Sequence, residues 1–414
     1  MQDKTSMASR QSRGKKLVDP VFSILAKAKE AAAEYGEEKV VNATIGSIQD
    51  DDGHLATLDK VTELVRSFAP ERIMSYAPIK GIAGFEEAAL NFTFGSSRPE
   101  GHLAAIATPG GTGAIRQVIY NYADDNSNVL IPDWHWGPYK VIAKEFGRKI
   151  DMYSIFTEDF KFNLVEFKKK VTANLKQQDN LVIIFNTPAH NPTGFTISTA
   201  EWEGILTILR EAAEDKSKNI ITLLDIAYID YAGEFEEVRK FFTLFGGLPE
   251  NILVTVASSM SKSFLAYGMR CGALIGLSSS KEVVDEFVDV SAYSSRANWS
   301  NVNHLPQELL VELYNNESML ADVYSEREGF RKLVEQRGQL FLTEARESGL
   351  EICPYYAGFF IAIPCDNPEA VVERLQQEKI FAVPLNKGIR LAVCSIPTAQ
   401  MPGLAAKIKE SLTD

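Results

Sequence analysis

Five short runs in the middle of the chain are almost uninterrupted in hydrophobicity: NVLIP (128–132), LVIIF (181–185), IITLLD (220–225), ILVTVA (252–257) and GALIGL (272–277). A strand with one wet face alternates apolar and polar residues; a strand covered on both faces has no such alternation. These runs therefore predict buried strands with helices on either side. Between them apolar positions recur with a helical period, as in TGAIRQVIYNYADD (112–125) and STAEWEGILTILREAAED (198–215), the second opening on a Ser/Thr cap. The alternation predicts a mostly parallel sheet in a layered α/β fold.

Past residue 305 the pattern changes. Residues 305–348 read as one long helical stretch. A tail follows with strand-like GFFIAIP (358–364) and IRLAVCSI (389–396) and a last helix in QMPGLAAKIKESL (400–412). Two domains are expected: a large ligand-binding domain over 51–310, and a smaller α+β domain built from 311–414 together with 1–50. The 414 residues, 45% of them hydrophobic, suffice for more than one average core.

The net charge of −12 is spread along the chain, and no basic stripe marks a nucleic-acid partner. No apolar run approaches the roughly 20 residues of a membrane helix. The first sixteen residues, MQDKTSMASRQSRGKK, lack the apolar centre of a secretory signal and read as a frayed terminal segment. Cys271, Cys353, Cys365 and Cys394 are scattered without CxxC spacing. They predict buried thiols in a reducing, cytoplasmic setting and no metal site.

Four stretches carry chemistry. In SSMSKSFLAYGMRCG (258–272), Lys262 stands in an uncharged run whose nearest charge is Arg270. Apolar surroundings disfavour the ammonium form and leave an amine suited to Schiff-base formation. TPGGTGAIRQV (108–118) is a Gly-rich turn opening a helix, so Gly110, Gly111 and Thr112 can present N–H and hydroxyl groups to an anion. It has neither Walker nor GxGxxG spacing. FNTPAHNPTGF (185–195) places Asn191 in a loop at a strand's C-terminal end, where parallel sheets bind ligands. LLDIAYIDYAG (223–233) ends a buried strand in Asp225, a carboxylate that needs a positive partner, with Tyr228 three residues on.

Alone, each stretch also fits ordinary turn or surface chemistry. Together they describe one ligand, with a phosphate (Gly-rich turn, Ser259, Arg270), a basic ring nitrogen (Asp225), a phenolic oxygen (Asn191, Tyr228) and an aldehyde (Lys262). That ligand is pyridoxal 5′-phosphate.

As a set, HNPTG (190–194), DIAY (225–228) and SMSK (259–262), with an arginine eight residues after the lysine, resemble the fold-type-I, pyridoxal-phosphate-dependent aminotransferases of class I, the aspartate aminotransferase family. The resemblance covers about residues 40–395. It implies a large domain with a mostly parallel seven-stranded sheet sandwiched by helices, beside a smaller α+β domain.

It also implies roles. Lys262, Asp225 and Tyr228 would be catalytic, with Lys262 holding the cofactor and Asp225 keeping the pyridine nitrogen protonated. Asn191 and Tyr228 would bond the phenolic oxygen. Gly110, Gly111, Thr112, Ser259 and Arg270 would receive the phosphate, Trp134 would stack on the ring, and Tyr76 in SYAPIKG (75–81) would reach the neighbouring subunit's phosphate. Arg390 in KGIRLAV (387–393) would clamp the substrate α-carboxylate, with Gly46, Asn191 and Trp134 around it. Arg296 in SSRANWSN (294–301) would take a distal carboxylate across a dimer interface.

Two departures stand out. Gly110 replaces a serine common in the family, and Ala392 replaces an asparagine often found two residues after the carboxylate-binding arginine. The expected activity is amino transfer from an L-amino acid, aspartate first, to a 2-oxo acid such as 2-oxoglutarate, by a homodimer with shared sites. Aromatic amino acids are the alternative donors, and a lyase or decarboxylase using the same cofactor is a more distant one.

Overall fold

The computed structural model describes residues 6–17 and 19–412. Seven strands form the central sheet: β1 (His102–Thr108), β2 (Asn128–Pro132), β3 (Lys149–Tyr153), β4 (Asn180–Asn186), β5 (Asn219–Asp225), β6 (Ile252–Ser259) and β7 (Gly272–Ser278). Their order is β1-β7-β6-β5-β4-β2-β3. Strands β2 to β6 run parallel, and β7 is antiparallel to both of its neighbours.

All five apolar runs are strands of this sheet. Two further strands had no clear pattern. β1, HLAAIAT, is rich in alanine, which packs equally well in a helix. β3, KIDMY, is a half-exposed edge strand with charges in it. The reversal of β7 was also hidden, because a strand covered on both faces looks the same in either direction. The link from β6 holds only the one-turn helix Met260–Ser263 and no longer helix of the kind that usually makes a parallel crossover.

The two faces can be read residue by residue. Leu181, Ile183 and Phe185 of β4 face one layer, with Trp202 of the helix Thr199–Ala212 against them. Val182 and Ile184 face the other, under α2 (Gly110–Tyr122) and α3 (Pro138–Glu145). α2 starts two residues before the expected helix and ends at Tyr122. The Ser198 cap is a full capping box with Glu201.

The long helical stretch is two helices, α5 (His304–Tyr314) and α6 (Glu317–Ser348), preceded in the chain by α4 (Lys281–Asn298). They part at Asn315 and Asn316, because the Asn316 side chain accepts a bond from the Met319 N–H and restarts the helix. α6 spans two apolar cores. Val323 and Val334 belong to the core around the sheet; Phe341, Leu342 and Ala345 pack with Ile24 and Ala28 of α1 (Pro20–Tyr35) in the other.

That second core also holds a three-stranded antiparallel sheet and the parallel pair Val41–Asn42 with Ile380–Phe381. The run 389–396 is a strand only to Ala392 and then turns. Of the first sixteen residues, 1–5 lie outside the described range, and Lys15 pairs with Glu145 of α3 at 2.7 Å. Among the described residues no helix is long and apolar enough to cross a membrane.

Phe287 keys α4 onto the sheet. It is fully buried, and a Cβ on Gly276 would come within 2.7 Å of its ring. Phe287→Ala should therefore cost about 3–5 kcal/mol, seen as a lower denaturation midpoint. An unchanged midpoint would contradict this packing.

Candidate active site

Strand register brings the separate motifs to one edge. Asn186 pairs with Asp225 across β4 and β5, and Asp225 pairs with Ala257 across β5 and β6. Ser259 pairs with Gly272, and Gly272 pairs with Thr108, where the Gly-rich turn begins. The loops that follow these positions carry Asn191, Tyr228, Lys262 and Gly110.

Lys262 lies in the one-turn helix capped by Ser259, whose hydroxyl accepts from the Ser261 N–H. The side chain is half-buried, and its amino end is desolvated. Nζ donates to the Gly46 carbonyl at 2.6 Å and stands 4.6 Å from the Tyr267 ring centroid. Burial lowers its pKa to about 8, with Arg270 and Arg390 adding to the effect and Cys394 opposing it.

Asp225 is buried. Its carboxylate accepts from the Tyr139 phenol and, at 3.3 Å, from the Ala227 N–H. Burial raises its pKa to about 6, and those two bonds pull the other way. Among the described residues no lysine, arginine or histidine pairs with it. The positive partner that a buried carboxylate needs is thus missing from the protein, and a protonated pyridine nitrogen would supply it.

Asn191 sits between two groups. Its Nδ2 donates to the Tyr228 hydroxyl at 3.3 Å, and its Oδ1 accepts from Arg390 Nη1 at 3.3 Å. Arg390 is buried, lies 4.2 Å over the Phe360 ring and donates from Nη2 to the Thr44 carbonyl at 2.8 Å. Its Nε is buried with no partner, an orphan donor that an arriving carboxylate would satisfy.

The anion cradle is equally close. Gly110 has φ 73°, and a Cβ there would meet the Arg270 guanidinium at 2.8 Å. Only glycine both adopts this turn and leaves that approach open. A Cβ on Gly111 would lie 3.5 Å from Ser259. Thr112 is exposed in the first turn of α2, and Arg270 Nη1 donates to Ser261 Oγ at 3.1 Å. These groups, with free helix N–H donors, fit a phosphate.

The other expected residues are placed differently. Trp134 is buried just after β2 on the same edge, with the Lys387 amino group 5.9 Å from its ring. Gly46 is the carbonyl partner of Lys262. Tyr76 is 90% exposed, and Arg296, at the end of α4, donates to Ser300 Oγ at 2.7 Å; neither touches the cluster within one chain.

Three neighbours escaped the sequence reading. Tyr139 bonds Asp225. Tyr267, five residues past Lys262, borders the amine. Cys394 was read only as an apolar filler, but its charge interactions include Lys262 and Arg390; burial pushes its thiol up to about 12, so it stays protonated. Nothing in the local sequence signals these contacts, which depend on how α3 and the tail pack.

The fold and the groups gathered at its edge are those of a pyridoxal 5′-phosphate-dependent transferase. Residues 38–408 match the family model for aminotransferase class I and II, and the chain belongs to that family. Along 403 residues it is 25% identical to the aromatic-amino-acid aminotransferase of Escherichia coli, covering 94% of this chain and 96% of that one. It is also 25% identical to the aspartate aminotransferase of Escherichia coli over 315 residues, covering 75% of this chain and 77% of that one. A crystal structure of an aminotransferase from Anaerococcus prevotii superposes with a TM-score of 0.97 at 39% identity, covering 99% of this chain and 100% of that one. The protein is therefore a class I aminotransferase whose cofactor is pyridoxal 5′-phosphate.

The amine of Lys262 gives a test in the cofactor-free protein. Its folded pKa is about 8 against the ordinary lysine value of 10.5, so the unfolded chain binds the extra proton between those pH values. Stability from this group thus rises with pH across that window. The stability of the wild type relative to Lys262→Met should climb by roughly 3 kcal/mol from pH 8 to 10.5 in paired denaturation curves. A flat difference would show that the ammonium is not desolvated.

Proposed function

We propose that this aminotransferase takes its amino group from L-aspartate, passes it to a 2-oxo acid such as 2-oxoglutarate, and works as a cytoplasmic homodimer with shared sites. One observation carries the dicarboxylate reading: Arg296 is exposed, and among the described residues no carboxylate pairs with its guanidinium. A second copy of the chain would bring this cation to a neighbouring site. Exposed Met74, Tyr76 and Tyr293, the last on α4 with Arg296, support such a contact surface. Aromatic donors are the second reading, supported by the likeness to the Escherichia coli aromatic-amino-acid aminotransferase.

The cofactor, when bound, supplies an aldehyde and an electron-poor ring that takes up the electron pair left as the substrate Cα–H bond breaks. The chain's own groups do the rest. Lys262 Nζ, a free amine above about pH 8, takes the proton from Cα and returns it to the other reacting carbon. Asp225, ionised above about pH 6, holds a positive charge in place opposite its carboxylate. Arg390 binds the α-carboxylate through its guanidinium, which already holds two partners and keeps Nε free. The Gly46 carbonyl caps the amine and accepts its hydrogen bond at 2.6 Å.

Two measurements test this. After incubation with pyridoxal 5′-phosphate, borohydride should fix the pyridoxyl group on Lys262 alone, and Lys262→Ala should lose both labelling and turnover. With 2-oxoglutarate as acceptor, Arg296→Asp should lower kcat/KM for aspartate by about 100-fold or more, as expected for a lost charge-assisted bond replaced by repulsion. The loss for phenylalanine should be far smaller. Equal losses on both donors would remove the argument for dicarboxylates.

A further inference from the structure

Asp225 and Tyr139 form a buried pair that joins the sheet to the start of α3. Tyr139 is fully buried, and its phenol donates to Asp225 Oδ2. It is the second residue of α3, after Gly137 and Pro138, and its N–H bonds the Trp136 carbonyl at 3.1 Å. The Trp136 ring stands edge-on against it at 5.4 Å. The ring is therefore packed against Trp136, with its phenol aimed at Asp225.

The chemistry of that donor matters. Burial, and next the charge of Asp225, keep the phenol far above its ordinary pKa, so it remains a neutral donor. A neutral donor lowers the proton affinity of a carboxylate without cancelling its charge. An arginine or lysine in the same place would have cancelled it. Among the described residues the titratable groups set against Asp225 are the two phenols, Tyr139 from α3 and Tyr228 from the turn after β5. Of these only Tyr139 bonds the carboxylate.

We propose that Tyr139 is a positioning residue: its phenol keeps Asp225 ionised and oriented, so that the proton shared between this carboxylate and the cofactor's ring nitrogen rests on the nitrogen. The proposal rests on the reading of Asp225 as the ring-nitrogen partner. Without the phenol, Asp225 becomes a weaker acid, holds its own proton at higher pH, and binds the ring less tightly.

The test begins with the cofactor-free protein. The Asp225 carboxyl is followed by carbon-13 NMR of labelled aspartate, with Asp225→Asn assigning the signal. Its midpoint is expected at about 6 in the wild type. Tyr139→Phe should raise it by about one pH unit, as loss of one hydrogen bond to the charged form implies. Incorporating 3-fluorotyrosine at 139, a stronger donor of nearly the same shape, should lower it.

Pyridoxal 5′-phosphate affinity is then measured by absorbance titration. At pH 5, below both midpoints, Tyr139→Phe should weaken capture about tenfold in the wild-type background, the counterpart of a one-unit shift, and less than twofold when Asp225→Asn is already present. An Asp225 midpoint that moves with neither substitution, or an equal affinity loss in both backgrounds, overturns the role of Tyr139 and leaves the site reading intact. If the unmodified protein fails to capture the aldehyde at all, the site reading itself falls.

Discussion

A carboxylate buried at the end of β5 with no cation beside it is the constraint around which the site is arranged. Water-filled surroundings would keep Asp225 an ordinary acid. Here burial holds it at about pH 6, and two neutral donors only partly compensate. Desolvating an unpaired charge is unfavourable, and the folded chain carries that cost in its resting state. A ligand with a protonated ring nitrogen would relieve it, and part of its binding energy would then be stored in the protein before it arrives.

Asp230, five residues on, shows what a carboxylate looks like when it serves the fold alone. It too is buried, which pushes its pKa up, but Arg327 and Arg239 outweigh burial and hold it below the usual range. Arg239 bonds it at 2.7 Å, and Arg327 of α6 lies at 3.3 Å. The same loop thus contains one aspartate whose charge is balanced by the chain's own arginines and one whose charge no cation balances. Burial alone does not mark a functional carboxylate; burial without a cation does.

Much of this was legible because its cause is local. Continuous apolar runs gave five of seven strands, since covering both faces leaves no room for polar alternation. The Gly-rich turn, Asn191, Asp225 and Lys262 could be assembled because parallel strands send all their C-terminal ends to one edge. What stayed hidden depends on tertiary packing. The phenol of Tyr139 reaches Asp225 only because α3 lies on the face of the sheet to which Asp225 points. The break at Asn315–Asn316 hides in an otherwise helical pattern, and the Ile45 carbonyl beside the Cys394 thiol lies 349 positions away in the chain. Tyr76 and Arg296 remain apart in a single chain, and sequence resemblance alone gave them a place in the site.

The amine also depends on both halves of the molecule. Its own loop is fixed from the sheet side: Tyr231, beside the Asp230 cluster, donates to the Lys262 carbonyl at 3.4 Å. Its bonding partner, the Gly46 carbonyl, belongs to a strip fixed from the other side. There Arg337 of α6 donates to the carbonyls of Gln49 and Cys394 at 2.9 Å and pairs with Asp51 at 2.7 Å. Arg327 and Arg337 stand ten positions apart on one continuous helix that runs through both cores. A tilt of α6 would therefore move the lysine's loop and the strip above it together. Because a rigid helix carries both anchors, the distance between amine and strip is set by how the two cores pack and not by either loop alone.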